Sequence, residues 1–429
     1  MSIKFRYLLL FVCTSFTHLA WSQGQGNSPY NGFGIGEITE ESTAAQDMMG
    51  GTGVSFANSF YVNHVNPAML VKNRTIGLNK YVAFNIGLKG GYKTLNQGNK
   101  IQDDFGLNLS NLTMVFPVKP KWAMGVSMRP YSVADQLNSF EKDFVGSNES
   151  NIVENRSTGG ISRVAFTNSF ILTKGLFWGI EGQANFGNIQ RDTTSSIAGS
   201  SEYFRNSGRF NMRGLTAKTG ITYQLKLNKK WNLNIGGVYQ LGGTLKGEAL
   251  RVFSVLAEAG NGPVYIQSPD TLANYSISTQ LPSSYKMGVS LESNYHWVFA
   301  AEYGVTRWSG TSNFDPIAKS VLVDSKVMNF GMEWLPNASS TKYFNQAFYR
   351  LGYKQIDTPY LINNTKIQDK SFSLGISVPM GFGNPSYVDI AVAIGRRGLN
   401  VNNLIQENYT KVSVNFSLLS SWFNKPRID

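Results

Sequence analysis

Apolar and polar residues alternate with a period of two along most of the second half of the chain. Tyr285, Met287, Val289 and Leu291 take one face while Lys286, Gly288, Ser290 and Glu292 take the other. Met328, Phe330, Met332 and Trp334 alternate with Asn329, Gly331 and Glu333, and Tyr349, Leu351 and Tyr353 with Arg350, Gly352 and Lys354. Val388, Ile390, Val392 and Ile394 alternate with Asp389, Ala391, Ala393 and Gly395, and Val412, Val414, Phe416 and Leu418 with Ser413, Asn415 and Ser417. This is the period of a strand with one apolar face. A soluble sandwich turns that face inward and a membrane barrel turns it outward, so alternation leaves both open.

Connection lengths separate them. Strands are expected at 74–90, 105–118, 121–134, 161–173, 176–190, 210–227, 231–245, 283–293, 296–308, 324–335, 347–357, 366–379, 387–396 and 405–418, about fourteen in all. Tight turns fall near Lys119, Lys174, Lys229, Asn294 and Asn384, with a looser one at Asn337 to Gln346; they alternate with longer loops at Asp135 to Gly160, Arg191 to Arg209 and Lys246 to Pro282. An even strand number, short turns at one rim and long loops at the other describe an outer-membrane barrel with both termini on the short-turn side. The expected fold is all-β, a transmembrane antiparallel β-barrel.

Tryptophans mark one rim. Trp122, Trp178, Trp231 and Trp297 each open an alternating run just after a short polar turn, and Trp334 closes one. An indole has an apolar body and a polar N–H, which suits a lipid–water interface. The bland alternative is a set of core tryptophans in a soluble β-protein. Trp308, at the far end of its strand, is expected at the long-loop rim.

Two residues interrupt the pattern in adjacent strands. Pro130 ends the row Trp122, Met124, Val126, Met128; with no N–H to donate it belongs at an edge, a bulge or a strand end. Asn168 interrupts Val164, Phe166, Phe170, Leu172. Together they make a candidate lateral opening in the wall.

The ends of the chain have different compositions. Residues 1–22 carry Lys4 and Arg6, the apolar stretch Tyr7 to Val12, and Ala20-Trp21-Ser22 before Gln23, the layout of a secretory signal peptide. The one cysteine, Cys13, lies within it, so the mature chain has no disulfide, thiolate ligand or cysteine nucleophile. Beyond the leader no run of about 18 apolar residues occurs, which rules out a spanning helix and leaves the closed barrel as the membrane option. Only 15% of residues are charged, and the formal charge of +12, which becomes +10 without Lys4 and Arg6, is scattered over turns and strands. That distribution argues against a nucleic-acid partner, and lysine in short turns reads as a wetted rim.

Residues 23–73 lack alternation. Gly32, Gly34 and Gly36 are followed by Met48-Met49-Gly50-Gly51-Thr52-Gly53-Val54 and by Val65-Asn66-Pro67-Ala68-Met69-Leu70. Glycine gives unusual backbone angles and close approach, and Asn-Pro starts a turn, so a compact irregular unit is expected. A barrel of about fourteen strands has a wide lumen, and a plug is its natural filling. Residues 74–429 then form the barrel.

Asn27-Ser28-Pro29-Tyr30, Gly32-Phe33-Gly34-Ile35-Gly36, Met49-Gly50-Gly51-Thr52-Gly53 and Asn66-Pro67-Ala68, followed by barrel strands and the ending Ser421-Trp422-Phe423-Asn424-Lys425 to Asp429, resemble the long-chain fatty acid transporter family of outer membranes, in its Bacteroidetes branch. The resemblance implies a fourteen-stranded barrel, a hatch ending near Asn-Pro-Ala, and passage of hydrophobic molecules that leave sideways at a kinked third strand, where Pro130 falls. The same fold also serves as a shuttle component of the type IX secretion system, so the resemblance bears on architecture more than on cargo.

Catalytic motifs are missing. The mature chain holds two histidines, His64 and His296, with no Gly-x-Ser-x-Gly elbow and no zinc-ligand spacing. Inward charges at Glu181, Glu292, Glu302, Glu333, Asp389, Lys218, Arg350, Lys354 and Lys411 read as a paired interior holding the plug, with an outer-membrane phospholipase as the enzymatic alternative. No catalytic residue, metal or cofactor is expected. The expected function is passive uptake of hydrophobic compounds such as long-chain fatty acids across the outer membrane. Gly50, Gly51, Gly53, Asn66, Pro67 and Ala68 would form the plug and its hinge, Pro130 and Asn168 the lateral opening, and Trp122, Trp178, Trp231, Trp297 and Trp334 the contact with membrane lipid. The competing class is a barrel that binds a protein partner through its extracellular loops.

Overall fold

In the computed structural model the described residues are 28–421, except 33, 76–80, 144–149, 198, 261, 294–295, 312–321, 382–384 and 402–403. The expected signal peptide, the tips of the Asn294 and Asn384 turns and the tail from Trp422 lie outside them.

Fourteen strands form the wall. In chain order they are β1 (Tyr81–Gln97), β2 (Lys100–Lys119), β3 (Trp122–Val133, continued by Gln136–Asp143), β4 (Ser150–Thr173), β5 (Leu176–Ile197), β6 (Glu202–Lys226), β7 (Trp231–Gln240, continued by Gly243–Ala259), β8 (Asp270–Leu281, continued by Ser283–Ser293), β9 (Trp297–Arg307), β10 (Ser325–Trp334), β11 (Phe348–Ile362), β12 (Thr365–Pro379), β13 (Tyr387–Arg397) and β14 (Gln406–Ser421). Neighbours pair antiparallel, and β14 pairs with β1 from Gln406↔Asn96 to Ser421↔Tyr81, closing the barrel. Closure matters because lipid offers no partner for an open strand edge.

The large apolar face points outward. Phe372 and Leu374 of β12 are 70% and 54% exposed, while Asp369, Ser373 and Ser377 on the opposite face of the same strand are buried. Leu215, Met287 and Ile394 are exposed on other strands in the same way. A sandwich would bury this set. An outward apolar band with a polar interior is the pattern of a barrel whose solvent is lipid. The tryptophans cap the band at the short-turn end, where Trp122, Phe170 and Trp178 stack in series at 5.9 and 5.7 Å and Trp297 stacks on Trp334 at 5.6 Å. Trp231 opens β7 on the same face. Trp308 follows the end of β9 away from the tryptophan row, as expected, but its ring is buried and lines a lumen cavity.

Three expected loops are strands. The regions Asp135 to Gly160, Arg191 to Arg209 and Lys246 to Pro282 extend β3 to β8 well past the apolar band. There the outer face has left the apolar band, so the outward apolar row that betrays a strand fades although the ladder continues, while the inner face still buries Ala249, Leu256 and Ile277. The first strand also starts at Tyr81 rather than 74, because Pro67–Thr75 is a 3₁₀ turn.

The N-terminal segment, from Ser28 to Val71, is almost wholly buried inside the barrel. Its one α-turn, Ala44–Asp47, is closed at its start by a Thr43/Gln46 capping box and packs Ala44 and Met48 on Ala391 of β13.

Candidate functional site: the filled lumen and a break in the wall

The wall is cut to receive the segment. A methyl group on Gly352 of β11 would lie 2.0 Å from the Gly50 backbone nitrogen, one on Gly236 of β7 2.3 Å from Val54 O, one on Gly220 of β6 2.0 Å from Asn66 Oδ1, and one on Gly179 of β5 2.4 Å from the Pro67 carbonyl carbon. These contacts are far inside van der Waals distance. The inward glycines are therefore what lets backbone lie on backbone. On the segment's side Gly50 and Gly51 have φ of +67° and +82°, a conformation that glycine adopts without a Cβ penalty. Gly50 N–H donates to Ser373 Oγ at 3.1 Å, and Gly53 and Val54 N–H donate to Glu302 Oε1 at 2.8 and 2.7 Å.

Asn66-Pro67-Ala68 forms a second anchor. The Asn66 amide donates to Val54 O at 2.6 Å and to Thr222 Oγ1 of β6 at 2.9 Å, while its Oδ1 accepts the Ala68 N–H at 2.9 Å. One side chain thus folds the turn and ties it to the wall. Ser169 of β4 completes the anchor by donating to Ala68 O at 2.8 Å and accepting the Val71 N–H at 3.1 Å.

Charge pairs bind the stretch of the segment that precedes both anchors. Arg129 of β3 stands directly opposite Arg163 of β4 on the inner face. Glu181 meets Arg129 at 2.5 Å, and Glu41 bridges Arg163 at 2.7 Å and Lys218 at 2.9 Å. Glu37 pairs with Arg397 at 2.7 Å, Asp47 with Lys89 at 2.9 Å, and Glu40 with Lys354. Burial alone would raise the Glu37 carboxyl, but the Arg397 guanidinium outweighs it and brings the pKa down to about 2. Burial, helped by repulsion from Arg129, lowers His64 to about 3, so it stays neutral; its Nε2 lies 3.1 Å from Thr113 Oγ1. Arg350 and Glu333 pair at 2.6 Å across β10 and β11, and Glu292 accepts Gln224 and Asn234.

The wall breaks at Pro130. β2 and β3 pair only from Lys119↔Trp122 to Leu112↔Met128; beyond that β2 runs on as Lys100–Asn111 without β3 beside it. β3 stays on β4 with a bulge at Tyr131. Gly159 and Gly160 of β4, with φ of +96° and +155°, and Gly187 of β5 let the neighbouring strands follow the bend. Gly159 and Gly160 fall in the expected loop Asp135 to Gly160 and Gly187 within an expected strand, so the Gly-Gly pair was the one sequence signal of the bend. The edge of β3 that β2 abandons is taken by the segment: Glu37↔Val133 and Ile38↔Ser132 pair antiparallel, Thr39 N–H donates to Tyr131 O at 3.0 Å, and Ser132 Oγ donates to Ile35 O at 2.8 Å. Asn168 lies apart from the break. It is paired on both sides, with Met124 and Ile180, and accepts the Trp122 indole N–H at 3.1 Å on the outer face, within the tryptophan row.

A cavity of about 240 Å³ adjoins the break. Asn108 to Ser110 of β2 and Pro130 and Val133 of β3 line it on the wall side, Glu37 to Glu40 on the segment side, and Lys93 and Lys411 project into it. Among the described residues no carboxylate pairs with Lys93 or Lys411, and the Lys411 ammonium lies 4.6 Å from the Tyr409 ring centre. The same Glu37 to Glu40 stretch divides this cavity from a second one that Trp308, Arg163 and Lys218 help to line.

A closed fourteen-stranded antiparallel barrel with an outward apolar band and a wall break at its third strand is a FadL-like outer-membrane barrel by fold. A family model described as BamG matches residues 3–429, and the chain belongs to that family. No curated protein matches the sequence. Among solved structures it is similar to the toluene transporter TbuX of Ralstonia pickettii (16% identity, 91% of this chain and 99% of that one, TM-score 0.53). The toluene transporter TodX of Pseudomonas putida (16%, 92% and 100%, 0.56) and a Pseudomonas aeruginosa FadL homologue (11%, 91% and 100%, 0.58) are also similar. At these identities the likeness is one of fold.

Proposed function

We propose that this chain is an outer-membrane channel for passive passage of hydrophobic compounds, with the N-terminal segment as its plug and the break at Pro130 as a lateral opening. The observation that carries the reading is the cavity bounded by the segment on one side and by both lips of the break on the other. A molecule held there is one step from the lipid. Transfer into lipid supplies the driving force, at about 25 cal/mol per Å² of apolar surface removed from water. The toluene transporters of like fold support an apolar cargo. Lys93 and Lys411 face the cavity under the longer-range pull of Glu37 and Glu40 across it, and these cations favour a cargo with an anionic head; a long-chain fatty acid fits that chemistry. The test is uptake of a fluorescent fatty acid and of its methyl ester into proteoliposomes. Passage of both, with the acid alone slowed by Lys93→Gln/Lys411→Gln, supports the reading; exclusion of both overturns it.

A second reading is a barrel that serves a protein partner, as a shuttle of a type IX-like secretion system would. It draws on the long extensions of β3 to β8 beyond the apolar band, which give another chain a broad surface to meet. Stoichiometric co-purification that is lost when Gln136–Asp143 and its hairpin partner are shortened, with uptake absent throughout, would favour it.

A further inference from the structure

β12 and β13 set Lys370 directly opposite Arg396 on the outer face of the barrel. Like charges directly opposite across two strands repel. Six strands away, on the other half of the wall, β6 and β7 repeat the arrangement with Arg213 opposite Lys246, also outward. The chain shows how it neutralises such a pair when both partners are its own. Inside, Arg129 opposite Arg163 is answered by Glu181 and Glu41. Outside, among the described residues, no carboxylate pairs with Lys370, Arg396, Arg213 or Lys246; Arg396 donates only to the Gln406 amide oxygen.

The position of the pair says what answers it. Lys370 and Arg396 end the apolar rows of their strands at the rim opposite the tryptophans, and the next outward residues toward the tryptophan rim, Phe372 and Ile394, are 70% and 61% exposed. With Tyr92 and Tyr353 these residues line an outward groove of about 580 Å³. Two cations at its head and apolar side chains along its length match an amphiphile with an anionic head standing in the leaflet on the long-strand side.

We infer that this groove binds a phosphorylated lipid of the outer leaflet, with Lys370 and Arg396 sharing the phosphate and the acyl chains lying over Phe372 and Ile394. The guanidinium fork and the ammonium together supply more donors than one phosphate oxygen can use, and the shared anion turns a repulsive pair into a bridged one. The inference rests on the outward apolar band and on the orientation of the barrel in an outer membrane, and is independent of what passes through the lumen.

The test compares wild-type protein with Lys370→Gln/Arg396→Gln in nanodiscs of neutral phospholipid doped with bisphosphorylated lipid A, counting retained lipid A by native mass spectrometry. The expected result is about a thirtyfold loss of retention in the double variant, from two cations near an anionic surface. Lys121→Gln/Lys174→Gln, at the opposite rim, should keep wild-type retention, and dephosphorylated lipid A should bind wild type as weakly as the variant binds the phosphorylated form. Equal retention by wild type and the Lys370/Arg396 variant overturns the inference, as does displacement of lipid A by inorganic phosphate alone, which would reduce the site to a free-anion site. A heat-shift gel shows that each variant is folded, and fatty-acid uptake, unchanged in the Lys370/Arg396 variant, keeps the outcome separate from that of the channel reading.

Discussion

The Glu302 carboxylate, on the inner face of β9, accepts the backbone N–H of Gly53 at 2.8 Å. The same oxygen takes the Val54 N–H at 2.7 Å, so one wall side chain answers two successive buried donors of the N-terminal segment. Cationic wall side chains hold the segment's carbonyls in turn: Lys89 donates to Ser42 O and Lys218 to His64 O, both at 2.7 Å, and Arg191 to Gly34 O at 2.6 Å. Glu302→Ala would leave both donors unpaired, at a cost of about 3 kcal/mol to docking of the segment. Hydrogen exchange should speed up at Gly53 and Val54 while the heat-shift of the barrel is kept, and Glu302→Gln, which retains an acceptor, should show a smaller effect. Unaltered exchange in the alanine variant would remove Glu302 from this role.

Gly352 is the sharpest test of the fit between wall and segment. A methyl group there meets the Gly50 backbone nitrogen at 2.0 Å, whereas one on outward Gly182 meets nothing within 4 Å. Gly352→Ala is expected to weaken docking by about 2 kcal/mol through overpacking, and Gly182→Ala to have no such effect. Protease sensitivity between Ala44 and Val54, measured on folded barrels, distinguishes them.

Two contributions to docking, from His64 and Glu37, should weaken in acid. His64 has its pKa lowered to about 3 and Glu37 to about 2 when the segment is in place. A released segment regains ordinary values, so it binds protons that the docked one refuses, and docking is favoured above those ordinary values and lost as pH falls below them. The His64 contribution disappears between about pH 6.5 and 3, and that of Glu37 between about pH 4.5 and 2. The His64 share is read by difference: over pH 7.5 to 5.5, protease release relative to its own value at pH 7.5 is expected to climb more in wild type than in His64→Gln.

The described residues hold no cysteine, which allows a direct test of the lateral route. Ile38 and Ser132 are register partners where the segment covers the β3 edge. A disulfide between Ile38→Cys and Ser132→Cys would lock that cover, and uptake of a hydrophobic probe should fall on oxidation and recover on reduction. Pro130→Val, which restores a ladder donor at the bend, should slow uptake without lowering the yield of folded barrel. Uptake indifferent to both changes would exclude the lateral route.

Strand positions were readable where lipid imposes a rule on one face. Val388 to Ile394 and Tyr285 to Leu291 alternate cleanly, and β13 and the lower half of β8 fall where that alternation puts them. The rule stops at the edge of the apolar band. Ser150 to Gly160 and Arg205 to Arg209 belong to the same ladders as the strands below them, yet an outer face beyond the apolar band removes the sequence signal. The segment shows the same split. Asn66-Pro67-Ala68 was legible because the turn is local, while its partners Gly179, Gly220 and Thr222 were not, since a strand glycine does not reveal which backbone it makes room for. Asn168 misled for a related reason: a polar residue in an outward row was read as a flaw, and its role as acceptor for an indole one strand away depends on register.

The close seating of segment on wall has a consequence for biogenesis. The segment touches β5 and β6 at Asn66-Pro67, β9 at Gly53, β11 at Gly50 and β14 where Ala44 N–H meets Asn415 Oδ1. Contacts on so many staves, with backbones lying closer than a methyl group would allow, leave no clearance for threading a chain into a finished cylinder. The N-terminal end must already lie within the curling sheet when β14 zips onto β1, so the barrel is moulded around its own beginning, and the seam between its last strand and its first is the lid on that mould.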